Sequence, residues 1–246
     1  VEVDTGIGRS GFDWRDVERW GPEVIVHMGK EVRWEGVFTH FYSADDLQCG
    51  AMTDQADRFA DTLRVLSGLR DEGWIEHICN SAGLFGRSDF VGGLVRPGIF
   101  LYGGRSWLGP PQPDPVVAIK ARIVLIREVP LGTTLGYGAT YRAGGRERWA
   151  TLGIGYGDGI PRALGNGGEV LVGGRRVPII GRISMGMIVV DITGLSESSG
   201  KVGDEVTFVG EDHGEYISLE EVARISGTIS HEVLTGLSPR LPRIWL

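Results

Sequence analysis

The spacing of apolar and polar positions changes partway along the chain. In the first hundred residues, short apolar runs alternate with helical spacing. Residues 1–9 alternate Val1, Val3 and Thr5 with Glu2 and Asp4, then break at Gly6 and Gly8, which free the backbone for a turn before Arg9. Residues 13–20 fit a short helix, and residues 37–41 read as a strand that presents His40 at its end. Residues 54–73 carry Phe59, Leu63, Leu66 and Leu69 at helical spacing, which predicts a helix stopped by Gly73. Two further strands are expected at 74–81 and 94–103. The order β, β, α, β, β predicts a parallel sheet with about half the strands of an eight-stranded barrel.

The Pro-rich stretch 108–115 marks a domain boundary, which gives domains 1–112 and 113–246. Beyond it the period is that of strands, at 116–129, 147–154, 169–172, 175–180, 187–192 and 205–209. Gly173 and Gly174 join two of them as a two-residue hairpin turn. Ser218 with Glu221 three residues on has the form of a capping box, and Gly227 is the stop of the helix it opens. The fold class is therefore α/β plus all-β. A partial (β/α)8 TIM-type barrel is followed by a mostly antiparallel, β-rich, barrel-like domain.

Chemistry collects at the carboxyl ends of the expected strands, where a β/α barrel builds its site. Ser81 offers a hydroxyl, and Gly98 lets a ligand approach the N–H groups of Gly98 and Ile99. Arg96 is a permanent cation aimed at the same place. Equally, Gly98 can simply shape a turn and Arg96 can make a surface ion pair. Tyr137 stands between Gly136 and Gly138, which leave its phenol projecting, and Tyr156 stands likewise between Gly155 and Gly157. A phenol acts as a base only where cations stabilise the phenolate, and an ordinary turn tyrosine has the same flanks. His40 and His77 each close an expected strand, where a hydrogen-bonded structural role is common.

Bulk properties narrow the field. Net charge is −7 and the basic residues are scattered, which argues against a nucleic-acid surface. The two cysteines, Cys49 and Cys79, form neither a metal spacing nor a disulfide framework, so a reducing, cytoplasmic setting fits. The five histidines lack HxxxH spacing, so no metal is expected. No apolar run has the length of a membrane span. Val1 begins inside a strand-like run, so further sequence is expected upstream.

Eight segments, taken together, resemble the pyridoxal-phosphate-dependent alanine racemases. They are VDTGIGRSGF (3–12), FTHFYSAD (38–45), HICNSAG (77–83), VRPGIFLYG (95–103), GYGATYRA (136–143), IGYGDGIPR (154–162), PIIGRISM (178–185) and the stretch 217–244. They occur in the family's order over almost the whole chain. The resemblance implies a cytoplasmic isomerase that interconverts L- and D-alanine using pyridoxal 5'-phosphate and supplies D-alanine as a peptidoglycan precursor. It implies a homodimer whose site is shared between subunits, with no nucleic-acid or membrane partner. Arg96 would face the pyridine nitrogen; Ser81 and the amides of Gly98 and Ile99 would bind phosphate. His40 would pack on the ring, and His77, beside Asn80, would hold Arg96. Arg9 would meet a cofactor oxygen and the substrate carboxylate, and the backbone of Met185 would also meet that carboxylate. Tyr137 would be one of two catalytic bases, reaching into the partner subunit, while Tyr156 and Arg182 line the entrance.

Several positions depart from the family pattern. The Schiff-base lysine has no counterpart among Lys30, Lys120 and Lys201, so the 246 residues by themselves are not expected to racemise an amino acid. Glu2 stands where many relatives have a carbamylated lysine that fixes the arginine corresponding to Arg9. Gly186 replaces an acidic residue near the entrance, and Pro239 replaces a phosphate-contacting tyrosine. A racemase of serine or of broader range, and an inactive product that only dimerises or binds the cofactor, remain the alternatives.

Overall fold

The structure, a computed structural model, describes residues 1–28, 32, 34–69, 73–107, 109–196 and 198–245. Lys30, Leu108 and positions 70–72 of the expected second helix lie outside the described residues. The chain forms two compact units. One is Val1–Leu101 with Arg105–Pro113, and the other is Tyr102–Gly104 with the residues from Asp114 onward.

The first unit is α/β. Strand β1 (Val3–Asp4) runs parallel to β2 (Phe12–Asp13), and β3 (Gly36–Phe38) runs parallel to β4 (Ile75–His77). The parallel bridge Glu2↔Phe38 places β1 beside β3, and the bridge Asn80↔Arg96 brings the Arg96 segment beside the residues that follow β4. The helix Ala51–Ser67 provides the crossover between β3 and β4 that parallel pairing requires, whereas β1 and β2 are joined by the loop of residues 5–11. Helix α1 (Val17–Met28) runs well past the short helix expected at 13–20. Pro22 lies inside it. The residue before a proline normally avoids helical geometry because its Cβ meets the ring, and Gly21 has none. The same gap lets α1 approach its neighbour, since a methyl at Gly21 would stand 3.1 Å from Leu66 and 3.2 Å from Leu69.

Helix α2 (Ala51–Ser67) starts earlier and ends earlier than its spacing suggested, with the Gly68 N–H closing it on Val65 O and Leu66 O. Its buried stripe includes Met52, Gln55, Phe59, Thr62 and Leu66. Leu69 is exposed, so two polar side chains occupy core positions that a purely apolar reading passes over. Val3 and Val37 from the strands, Ile78 and Cys79 just after β4, and Val17 and Trp20 from α1 complete this core.

Two strand ends differ from expectation. Ser81 opens helix α3 (Ser81–Gly86) rather than closing a strand, because Asn80 Oδ1 accepts the Gly83 N–H at 2.9 Å and caps the turn. The run 94–103 forms only the bridge at Arg96 and then a 3-10 turn, Ile99–Tyr102. Pro97 has no N–H to extend the ladder.

The second unit is β-rich. Its strands are β5 (Ile119–Val129), β6 (Thr134–Leu135), β7 (Tyr141–Arg142), β8 (Glu147–Leu152), β9 (Glu169–Val172), β10 (Arg175–Ile180), β11 (Ile188–Asp191), β12 (Glu205–Asp212) and β13 (Glu215–Ile217). Every pairing among them is antiparallel. The main sheet runs β13-β12-β5-β8-β11-β10-β9, and a pairing of Thr207 with Leu171 joins β12 to β9 and closes it on itself. Ile123, Leu152, Leu171, Ile179, Ile188 and Phe208 fill the interior.

Gly173 (φ 56°) and Gly174 (φ 74°) make the tight turn between β9 and β10, with Val172 opposite Arg175. Two consecutive positive φ values are what a type I′ hairpin needs. Helix α4 (Leu219–Ser226) begins at Ser218, whose hydroxyl accepts the Glu221 N–H, and ends at Gly227 in left-handed geometry. The Glu221 carboxylate engages Arg176 on β10. A second short helix, α5 (Ser230–Thr235), follows. Among the described residues no helix is long and apolar enough to cross a membrane.

Candidate active site

In the first unit the loops after β1, β3 and β4 and the turn after Arg96 bring one group of side chains together. The Arg96 N–H donates to Cys79 O at 3.0 Å, which fixes the base of the side chain. Its guanidinium Nη2 donates to Thr39 O at 2.7 Å and to Ile78 O at 3.3 Å, and lies 3.5 Å from His40 Nδ1. Its Nη1 contacts His77 Nδ1. An arginine only donates, so that ring nitrogen accepts and the His77 proton sits on Nε2. Phe38 stacks on His77 at 4.9 Å and lies under the guanidinium at 5.2 Å.

This cation is half-buried. Among the described residues it has no carboxylate at ion-pair distance, and its protein partners are neutral. Burial lowers its pKa. Burial also pushes the Cys79 thiol up to about 11, so the neighbouring sulfur stays protonated and supplies no counter-charge.

Ser81 is buried, and its Oγ accepts a long hydrogen bond from the Phe100 N–H at 3.4 Å. The Gly98 N–H turns back to Arg96 O at 2.9 Å. Among the described residues the Ile99 N–H has no protein acceptor. A methyl at Gly98 would meet nothing within 4 Å, so the space over this turn is open. Arg9 is exposed, with Nη2 4.0 Å from Glu2 Oε1, and Glu2 Oε2 accepts from Ser10 Oγ at 2.9 Å.

His40 and His77 both titrate below their ordinary 6.5, chiefly through burial. Arg9 and then Arg96 add to the shift at His40, and Arg96 adds to it at His77. Below that value the unfolded chain therefore binds more protons than the folded one. Stability is complete above the ordinary histidine value and is lost as pH falls through the lower, folded values. Thermal unfolding followed from about pH 7.5 down to about pH 5.5 should show a falling midpoint, less steep in His77→Asn. An equally steep fall in that variant would contradict the assignment.

In the second unit two loops converge. Tyr137 sits in a 3-10 turn between Gly136 (φ 70°) and Gly138 (φ 74°), with 72% of its surface exposed. The turn lies on Arg182: a methyl at Gly138 would stand 2.9 Å from the guanidinium. Tyr156 sits in a similar turn, whose amides hold the loop between β10 and β11. The Tyr156 N–H donates to Ser184 O at 3.1 Å and the Gly157 N–H to Met185 O at 2.8 Å. Any side chain at Gly155 would collide with that backbone. Tyr137, Arg182, Met185 and Tyr156 thus share one exposed loop cluster. A cavity of about 340 Å³ opens beside Tyr156, with Arg162, Ser226 and Glu232 in its wall. Among the described residues no group of three or more His, Cys, Asp or Glu could hold a metal ion.

Residues 1–106 match the sequence pattern of the alanine racemase N-terminal domain, and residues 116–245 match that of the alanine racemase C-terminal domain. The chain belongs to the alanine racemase family. It is 40% identical over 246 residues to an alanine racemase of Halothermothrix orenii, covering 99% of this chain and 64% of the relative. It is 38% identical over 252 residues to alanine racemase 2 of Bacillus subtilis, covering 100% of this chain and 63% of the relative. A solved alanine racemase of Bacillus anthracis with bound L-Ala-P has a TM-score of 0.90 at 32% identity, covering 100% of this chain and 64% of that one. The alanine racemase of Bartonella henselae with covalently bound pyridoxal phosphate has a TM-score of 0.88 at 32% identity, covering 100% of this chain and 66% of that one. The chain thus spans less than two-thirds of the length of the curated relatives named here. The Arg96 group lies in the alanine racemase N-terminal match and the Tyr137 cluster in the C-terminal match.

Some contributors had no distinct sequence signal. Thr39 presents a main-chain oxygen, and Phe38 and Phe100 read as ordinary apolar positions. Gln55 was passed over as well, although its place in register with the apolar helical stripe is a signal that could have found it.

Proposed function

We propose that the chain carries the cofactor- and substrate-binding residues of an alanine racemase that uses pyridoxal 5'-phosphate. The observation that carries this reading is the half-buried Arg96, without a carboxylate among the described residues, beside the open turn of Ser81, Gly98 and Ile99. The Ser81 hydroxyl accepts from Phe100, which leaves its own proton to donate to a phosphate oxygen, and the Ile99 amide has a proton to offer the same group. These features fit the cofactor. Bound here, pyridoxal phosphate supplies an electron-withdrawing ring that weakens the α-C–H bond of a linked amino acid.

His40 would pack on that ring. Arg96 would donate toward the pyridine nitrogen without releasing its proton, and His77 would keep it aimed. That combination would limit electron withdrawal and favour return of the proton to the α-carbon over side reactions. Arg9 and the backbone of Met185 take the substrate carboxylate, where the planar guanidinium suits paired contacts. Tyr137 moves the proton on one face, and Tyr156 and Arg182 border the entrance. Two copies complete each other, Tyr137 of one serving the Arg96 group of the other. In this reading residues 1–112 supply consecutive strands of a (β/α)8 barrel and the cofactor contacts, and residues 113–246 supply the tyrosine.

No lysine at the described positions serves as covalent anchor. Lys120 pairs with Glu205 at 2.6 Å and Lys201 lies in a turn before β12. The test therefore has two arms. In the first, the chain is titrated with pyridoxal phosphate and binding is followed by absorbance. Binding is expected, weakened in Ser81→Ala, and no binding by the wild type would refute the cofactor reading. In the second, the part of the Halothermothrix orenii relative that this chain does not cover is joined in frame. D-alanine is then measured from L-alanine, with serine as comparison. A joined protein that binds cofactor and racemises neither substrate would refute the activity. Faster turnover of serine would move the assignment to that substrate.

A further inference from the structure

A closed polar network lies behind the Arg96 group. Gln55 on α2 is fully buried, as are Thr5 after β1 and Thr39 after β3. The Gln55 Nε2 donates to Thr5 Oγ1 at 3.0 Å and to His40 O at 2.9 Å, and its Oε1 accepts the Tyr42 N–H at 3.1 Å. Thr5 Oγ1 lies 2.7 Å from Thr39 Oγ1. The amide already donates to Thr5, so the Thr5 hydroxyl proton is available to Thr39. One turn along α2, Arg58 Nη1 donates to Thr5 O at 2.8 Å. The outer end of the network is the Thr39 carbonyl, which receives the Arg96 guanidinium.

We propose that Gln55 is a positioning residue. Through Thr5 and Thr39 it holds the His40 segment and the Arg96 guanidinium at the orientation the cofactor ring requires. A helix needing only a core residue here would take Leu or Met, at no desolvation cost. Glutamine instead clamps the segment at both His40 O and Tyr42 N–H, on either side of Phe41. The amide cannot move without breaking a buried hydrogen bond, so the loop bearing the ring-stacking histidine is held by the helix rather than by its own turn. The same helix face fixes Thr5, which precedes the loop bearing Arg9, so one element sets two parts of the site.

The proposal rests on the pyridoxal phosphate reading, so its test includes a readout independent of cofactor. Gln55→Met keeps the volume and removes every hydrogen bond. In the chain without cofactor, the His40 ring followed by NMR should titrate closer to its ordinary 6.5. Pyridoxal phosphate affinity should fall by about 10- to 100-fold, the scale seen when supporting partners of ligand-binding groups are removed. A folded Gln55→Met with the wild-type His40 titration and affinity overturns the proposal. Should that variant not fold, Thr39→Val and Thr39→Ser decide. The valine should shift His40 and the serine restore it, and a valine variant matching the wild type overturns the proposal. Failure of the wild type to bind pyridoxal phosphate would refute the functional reading, while the cofactor-free His40 titration still decides Gln55.

Discussion

Tyr137→Phe in the joined, cofactor-loaded protein is expected to slow racemisation by about 10²- to 10⁴-fold, the range for losing one positioned acid–base group. Both directions should slow together. In the proposed reading each conversion would take a proton from one face of the α-carbon and return one to the other, so loss of either group would block the whole path. The ring itself is 72% exposed in a turn held by two positive-φ glycines, and among the described residues its hydroxyl has no protein partner. Removing that oxygen leaves nothing buried and unpaired. Cofactor affinity and the unfolding midpoint should therefore match the wild type. Exchange of the α-hydrogen with deuterated solvent gives the sharper readout. It should continue for the enantiomer served by the other group and stop for the one served by Tyr137. Wild-type turnover in the phenylalanine variant would remove the tyrosine from the reaction.

The second large effect concerns Arg96→Glu, for which two losses are expected. The first is in stability. Thr39 O and Ile78 O would lose their donor and His77 Nδ1 its partner, in a region shielded enough to lower the titration of both histidines. Unsatisfied groups of this kind cost about 1–3 kcal/mol each, and denaturant unfolding should show a drop of that order. The second is in product partition. A carboxyl group can share a proton with the pyridine nitrogen, whereas a guanidinium keeps its own. The ring would then withdraw electrons more strongly, and keto-acid side products should rise relative to racemised amino acid. Arg96→Lys separates the two losses, because it retains a cation but not the fork that reaches Thr39 and Ile78 together. An unchanged partition in Arg96→Glu would mean that Arg96 does not govern the ring.

Much of the second unit was legible before folding. The runs at 169–172 and 175–180 are strands over those same residues, because the two-residue turn at Gly173-Gly174 fixes how the apolar runs on either side of it pair. Ser218 and Gly227 bound α4 by local hydrogen bonding, which needs no distant partner. The exposed placement of Tyr137 was readable for the same reason, since flanking glycines act through their own φ angles.

The first unit was less readable. The helix after residue 13 continues through Pro22 because Gly21 fits between Leu66 and Leu69, a fact about the opposing helix. The run 94–103 has the composition of a strand, yet Pro97 ends its pairing after Arg96. The sequence alone supplied residue types, local periods, turn chemistry and the order of the family's motifs. Folding decided which backbone oxygens meet Arg96, and it turned Gln55 from one polar position in a helix into the brace of the His40 loop. Those outcomes depend on contacts between residues 13 to 57 positions apart, and local propensity carries no term for a partner that distant.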